Sequence, residues 1–172
     1  MVKKRGVALR RESNRYAGAI VLGLNDALVE LTAALTGFTF ALQQSKIVAL
    51  TGFITGVAAA LSMAASEYLS AKEEVKQNKK KDPLKSSLYT GITYIITVLL
   101  LILPYFLFSQ VYVALASMLF ISFFIIFCYT YYLSTLKEIP FWKRFREMAL
   151  LSLSVALISF LVGLFVRRFM GI

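Results

Sequence analysis

Five long apolar segments dominate the 172-residue chain. A helix needs about 20 mostly apolar residues to cross a bilayer, at about 1.5 Å of rise per residue. The segments that meet this requirement cover residues 16–43, 47–71, 88–108, 111–136 and 147–166. They explain why 59% of the residues are apolar and only 16% are charged, against about 45–50% and about 25% in soluble domains. The sequence therefore predicts an all-α integral membrane protein, with five transmembrane helices in a single domain over residues 1–172.

The connections between these spans are short and polar. Residues 44–46 form a tight turn, so the first two helices are expected to be antiparallel neighbours. A Lys-rich loop over 72–87 separates the second and third spans, residues 109–110 join the third to the fourth, and residues 137–146 precede the fifth. Pro104 lies near the end of the third span, where it is expected to kink or end the helix.

Lysine and arginine residues are distributed unequally between the two sides of the predicted bundle. Six precede the first span, six follow the second and four follow the fourth, whereas the opposite side holds only Lys46, Arg167 and Arg168. Because basic residues are retained on the cytoplasmic side, sixteen against three predicts a cytoplasmic N-terminus and a C-terminus outside or in a lumen. The net charge of +10 is accordingly assigned to the anionic membrane surface and not to nucleic acid. No cleavable signal peptide is expected, because the first apolar segment is long and carries acidic residues.

The residue types available for chemistry are restricted. Histidine is absent and Cys128 is the single cysteine, which excludes His-dependent catalytic triads, zinc fingers and an internal disulfide. The sequence also lacks a phosphate-binding glycine loop and a cofactor motif. We therefore predict neither an enzyme activity nor a bound cofactor.

Carboxylates lie inside the first two spans. Asp26 and Glu30 are four residues apart, so their side chains share one helical face, and Met63 and Glu67 have the same spacing on the next helix. An acidic residue near the bilayer centre costs at least about 2.5–3.5 kcal/mol, so each needs a compensating role. Counting the helical rise from the cytoplasmic end places Glu67 near the mouth, Asp26 level with Met63, and Glu30 deeper. These four residues form a predicted series of metal ligands, the ligand ladder.

The chemistry of the ligand ladder favours a divalent transition metal. Carboxylate oxygens combined with a thioether suit iron(II) and its neighbours, whereas Ca²⁺ and Mg²⁺ gain nothing from sulfur. Buried carboxyl groups that lie close together also hold protons, which an arriving dication displaces. Exchange of metal for protons is the function that these residues favour. A structural alternative is that the acids are hydrogen-bonded to Thr32, Thr36 or Asn25.

The remaining features of the spans concern packing. Spans three to five have no ionisable residue well inside them except tyrosines and Cys128, which predicts a lipid-facing scaffold. Small residues recur every four positions on the first two spans, and such faces let helices approach closely, either within a chain or across a dimer axis. They are Ala19, Gly23, Ala27, Ala33, Gly37, Ala41, Gly52, Gly56, Ala60 and Ala64. Because one chain supplies only three acids and one sulfur to the ligand ladder, we expect a two-fold homodimer through the first two helices to complete the path.

Two sequence elements resemble the signature of the vacuolar iron transporter family. They are Asn25-Asp26-Ala27-Leu28-Val29 and Ser62-Met63-Ala64-Ala65-Ser66-Glu67-Tyr68. The family has glycine at the positions of Ala27 and Ser66, and both replacements keep a small residue. The resemblance implies a five-helix homodimer that exports iron(II), and often manganese(II), from the cytosol in exchange for protons. It also implies that Asp26 and Met63 are the central ligands and that Glu67 lies at the cytoplasmic entrance.

The chain departs from larger members of that family between the second and third spans. Plant and fungal-parasite relatives have a metal-collecting domain rich in Glu and Met there, whereas residues 72–87 hold Glu73, Glu74 and Asp82 among six lysines. Glu73 and Glu74 are either a remnant of that domain or solvated charges that balance the lysines.

The predicted function is export of iron(II) or manganese(II) from the cytosol in exchange for protons. A membrane scaffold with the same fold and no transport activity is the alternative. The expected location is the cell membrane of a prokaryote or the vacuolar membrane of a eukaryote.

Overall fold

Five α-helices make up the fold. The computed structural model describes residues 2–76, 82–137 and 140–171. The helices are α1 (Val2–Leu42), α2 (Ser45–Lys76), α3 (Pro83–Leu107), α4 (Val111–Lys137) and α5 (Phe141–Met170). Each of the five contains a segment long and apolar enough to cross a membrane, which confirms the predicted all-α membrane fold.

Local sequence signals set the two ends of α3. The carboxylate of Asp82 accepts a hydrogen bond from the backbone N–H of Leu84, and Pro83 occupies the first helical position. This N-cap followed by proline starts the helix five residues before the predicted span 88–108. At the other end, α3 stops soon after Pro104, as predicted.

α2 and α5 also extend beyond their predicted spans. α2 continues past residue 71 to Lys76, so helix occupies the start of the predicted loop 72–87, while residues 77–81 of that loop lie outside the described residues. α5 begins at Phe141, directly after Pro140, and not at residue 147. Lysine, arginine and glutamate have good helix propensity, so an apolar helix continues into charged sequence until a proline or a cap ends it.

α1 is the central helix of the bundle. It packs against each of the other four helices, most extensively against α5 and α3, whereas α2 packs mainly against α3. Gln43, with a left-handed φ of 53°, turns the chain from α1 into α2, and the two helices are in contact as the short turn predicts. The apolar core lies mainly between α1, α3 and α4; its fully buried members include Leu28, Leu31, Leu35, Val98, Leu101, Ile102 and Met118.

The small residues of α1 and α2 are used for packing within the chain. A Cβ atom on Gly23 would overlap the backbone carbonyl of Thr90 on α3. A Cβ on Gly163 of α5 would overlap the backbone carbonyl of Gly37 on α1 in the same way, and Gly56 of α2 lies against a valine side chain of α3. Of the two uses that the sequence left open, the structure shows close helix approach inside one chain.

α3 fits the predicted lipid-facing scaffold only in part, because large apolar side chains such as Leu88, Ile92 and Ile96 are exposed but another face is buried. Its side chains Ser86, Thr90, Tyr94 and Thr97 are buried along one face. These residues carry hydroxyl groups and no formal charge, so a search of the spans for ionisable residues passes over three of them. α5 does fit the prediction, because only 17% of its most apolar stretch is buried inside the chain.

Candidate metal site along α1 and α2

The first candidate ligands form a carboxyl pair on α1. Asp26 and Glu30 lie one helical turn apart and their carboxyl groups interact with each other. Asp26 is half-buried, whereas Glu30 is exposed on the surface of the single chain. The phenol of Tyr94 on α3 donates a hydrogen bond of 2.8 Å to Glu30 Oε2. The spacing of the two acids predicted their common face, but nothing in their spacing predicted the phenol.

The second carboxyl position is Glu67 on α2. Its side chain is 7% exposed, and the hydroxyl of Ser86 on α3 donates a hydrogen bond to Glu67 Oε1. Ser86 is itself fully buried. A carboxylate removed from water needs hydrogen-bond donors to offset its desolvation, and α3 supplies this one.

Met63 lies one turn before Glu67 on α2. It is half-buried and packs against the apolar core. Within residues 2–76, 82–137 and 140–171, no three acidic or cysteine side chains converge on a single point. The candidate ligands therefore lie along the helices as a carboxyl pair, a thioether and a buried carboxylate, and do not form one compact acidic cage.

α3 provides hydroxyl partners for both carboxyl positions. Ser86 and Tyr94 are eight residues apart, which corresponds to about 12 Å along the helix axis and to one common face. The partner of Glu67 comes first along α3 and the partner of Glu30 follows two turns later, the order that the ligand ladder assumes. Hydroxyl groups four or eight residues apart on an otherwise apolar span are the sequence signal that could have found them.

The hydrogen-bond partners named in the structural alternative are used elsewhere. Thr32 shares a hydrogen bond of 3.1 Å with the Ser122 hydroxyl on α4, and the Thr36 hydroxyl donates to the carbonyl oxygen of Thr32. Asn25 faces Tyr129 on α4. The hydroxyls of Thr32 and Thr36 therefore bond to other groups, and α3 supplies the hydrogen bonds to Glu30 and Glu67.

A comparison with models of protein families identifies the family of this chain. The model described as the VIT family matches residues 17–82 and 72–164, well over half of the chain. The chain belongs to the VIT family. Its membership confirms the resemblance to the vacuolar iron transporters, and the VIT family is a family of membrane metal-ion transporters. No curated protein matches the chain significantly.

The two VIT-family matches overlap at residues 72–82, between the second and third predicted spans. In that segment Glu73 is exposed and Glu74 is half-buried in the last turns of α2. The elements around Asp26 and Met63 fall inside the first match, and α3, with both hydroxyl partners of the acids, falls inside the second.

Proposed function

We propose that this VIT-family chain is a divalent-metal/proton antiporter that moves iron(II) or manganese(II) out of the cytosol. The observation that carries the proposal is an interacting pair of carboxyl groups, Asp26 and Glu30, inside a membrane-capable helix of a metal-transporter family member. Met63 and Glu67 on α2 complete the ligand ladder.

The ligand ladder accounts for the choice of cargo and for proton coupling. Oxygen ligands alone suit hard cations, whereas the thioether of Met63 adds affinity for iron(II) and neighbouring divalent metals. The charge of the carboxyl groups must be balanced inside a membrane, by a metal ion in one state and by protons in the other. Exchange of the two follows from their competition for the same oxygens.

A homodimer through α1 and α2 belongs to the proposal. Glu30 is exposed on the single chain although it lies inside a membrane-capable helix, where contact with hydrocarbon costs at least about 2.5–3.5 kcal/mol. Only 28% of the most apolar stretch of α2 is buried within the chain. A second copy on this surface shields Glu30 and doubles the number of ligands. Since α3 and α5 occupy the small-residue faces, the larger exposed side chains of α2 supply the contact, among them Leu50, Ile54 and Leu61.

The proposed orientation follows the distribution of basic residues. The N-terminus and the segment between α2 and α3 face the cytosol, and the C-terminus lies outside or in a lumen. Glu67 then faces the side from which the metal enters. The membrane is the cell membrane in a prokaryote or the vacuolar membrane in a eukaryote.

Flux into sealed proteoliposomes tests the proposal. Iron(II) or manganese(II) is added on the side corresponding to the cytosol, and a dye inside reports pH. We expect metal entry accompanied by alkalinisation of the lumen, and we expect Asp26→Ala to abolish both signals. Glu147→Ala is the matched control, because Glu147 is an exposed acid of α5 outside the ligand ladder.

A second pair of variants isolates the role of the thioether. Met63→Leu keeps an apolar side chain of similar volume against the core but removes the sulfur, so it should reduce flux without unfolding the chain. Met118→Leu, at a fully buried methionine of α4, should leave flux unchanged. If the folded wild-type protein transports no divalent metal under any pH gradient, the antiporter proposal is wrong and the scaffold alternative takes its place.

A further inference from the structure

A groove lies between α2 and α3 on the outer surface of the bundle. Its volume is about 330 Å³, a size typical of small-ligand sites. Small residues form its floor, because a Cβ on Gly91 of α3 would lie only 3.1 Å from the Cβ of Ala64 on α2. Larger, exposed apolar side chains form its walls, namely Leu61, Leu84, Leu88, Ile92 and Ile96. We call this feature the α2–α3 groove.

The lining of the α2–α3 groove is apolar. Of the described residues that line it, Ser87 alone has a polar side chain. Both helices are long and apolar enough to cross a membrane, so the open side of the groove faces hydrocarbon. From Leu84 to Ile96 the groove extends about 18 Å along α3, whereas one leaflet contributes half of a hydrocarbon core about 30 Å thick. Its length and chemistry therefore fit an extended acyl chain.

Two lysines flank the end of the groove at which α3 begins. Lys85 directly follows Leu84 and lies on the same side of α3 as Ile92, seven residues later. Lys72 lies on α2, where its ammonium group is 5.9 Å from the ring centre of Tyr68. Both lysines are exposed, so two positive charges stand where the headgroup of a lipid in the groove would lie.

The acidic residues near this end of the groove face elsewhere or cap a helix. Glu73 follows Ala64 by nine residues, which is half a turn more than two full turns and puts it on the opposite face of α2. Glu74 follows Glu67 by seven residues and shares its face, toward the inside of the bundle. The carboxylate of Asp82 accepts hydrogen bonds from the backbone at the start of α3. The charge beside the groove is therefore positive.

We propose that the α2–α3 groove binds an anionic phospholipid, with an acyl chain along the groove and the phosphate beside Lys72 and Lys85. Basic residues at a membrane surface attract anionic headgroups, and the groove adds the apolar contact that holds one molecule in place. Leu61 also belongs to the proposed dimer contact, but Leu50 and Ile54 lie two or more turns further from the lysines. The lipid therefore lies beside the second copy and does not replace it.

Quenching of tryptophan fluorescence by brominated lipids tests this inference on the full-length protein in phosphatidylcholine bilayers. Trp142, the only tryptophan, is replaced with phenylalanine, and a single reporter is introduced by Leu88→Trp in the groove or by Leu150→Trp on α5. The two leucines are matched, because they are 60% and 61% exposed. If Leu88→Trp does not fold, Leu84→Trp on the same wall replaces it.

We expect brominated phosphatidylglycerol to quench the groove reporter at a severalfold lower mole fraction than brominated phosphatidylcholine, with no such preference at the α5 reporter. Equal quenching by the two lipids at the groove would overturn the inference. An equal preference at both reporters would also overturn it, because general attraction to a basic protein would then be the cause. Absence of quenching by either lipid at the groove would show that a second copy covers it, which contradicts the proposal.

Lysine variants test the headgroup contact. Lys72→Gln combined with Lys85→Gln should lower the preference of the groove reporter for phosphatidylglycerol to that of the α5 reporter. Lys143→Gln, at an exposed lysine in the first turn of α5, is the control and should leave the preference unchanged. A preference that survives the double substitution, or falls equally in the control, refutes the assignment. The assay uses no metal and no flux, so its outcome is independent of the transport experiment.

Discussion

Alanine substitutions at two glycines of α1, Gly23 and Gly18, should change the free energy of unfolding in opposite directions. A Cβ on Gly23 overlaps the backbone carbonyl of Thr90, which cannot rotate away as a side chain could. α1 and α3 must therefore separate, which costs about 1–3 kcal/mol for overpacking. The separation also weakens the 3.1 Å hydrogen bond from Thr90 Oγ1 to the Ala19 carbonyl, worth about 0.5–1.5 kcal/mol. The higher helix propensity of alanine offsets up to about 1 kcal/mol of this cost. On balance, Gly23→Ala should lower the free energy of unfolding by about 1–3 kcal/mol.

Gly18 is the matched control on the same helix. Apart from its chain neighbours and its own helix backbone, no atom of the described residues lies within 4 Å of the position that its Cβ would take, so Gly18→Ala should raise the free energy of unfolding by up to about 1 kcal/mol. Equilibrium unfolding in mixed micelles, followed by far-ultraviolet circular dichroism, measures both changes. If Gly23→Ala is as stable as Gly18→Ala, then α1 and α3 do not approach as closely as described, and the hydrogen bond from Tyr94 to Glu30 loses its basis.

Two further variants test the hydroxyl groups of the bundle. Tyr94→Phe removes the hydrogen-bond donor to Glu30 but keeps the aromatic ring. Loss of a group that orients a metal ligand typically lowers metal affinity by about 10–100-fold, and we expect a decrease of this size. Unchanged manganese(II) binding in calorimetry would rule out that role for Tyr94. Thr39→Val leaves the buried Tyr105 hydroxyl without its partner and should cost about 1–3 kcal/mol of unfolding free energy in the same micelle assay. Thr51→Val is its control, because the Thr51 hydroxyl bonds only to carbonyls of its own helix, and a loss as large as that of Thr39→Val would contradict the assignment.

The number, type and order of the helices could be predicted from the sequence. Each span is a run of apolar residues long enough to cross a bilayer, and hydrophobicity along a single segment needs no knowledge of its neighbours. The ends were less predictable. The start of α3 depends on the Asp82 cap and on Pro83, and the start of α5 on Pro140, so the charged residues beyond the apolar runs are helical.

The candidate site was predictable in part for the same reason. Acids stand out in an apolar span, and a spacing of four residues puts Asp26 and Glu30 on one face whatever surrounds the helix. Their partners do not stand out. Tyr94 and Ser86 lie on a different helix, and only the packing of α3 against α1 and α2 brings them to the two carboxylates.

The sequence by itself determined that five helices cross the membrane and that carboxylates lie inside the first two, because both depend on residue type and on spacing along one helix. Only the tertiary structure decided which helix faces which. It directed Gly23 toward α3 and Gly37 toward α5, gave Glu30 and Glu67 hydroxyl partners on α3, and left Glu30 exposed on the single chain. Such choices depend on contacts between residues tens of positions apart, and no periodicity within one segment encodes them.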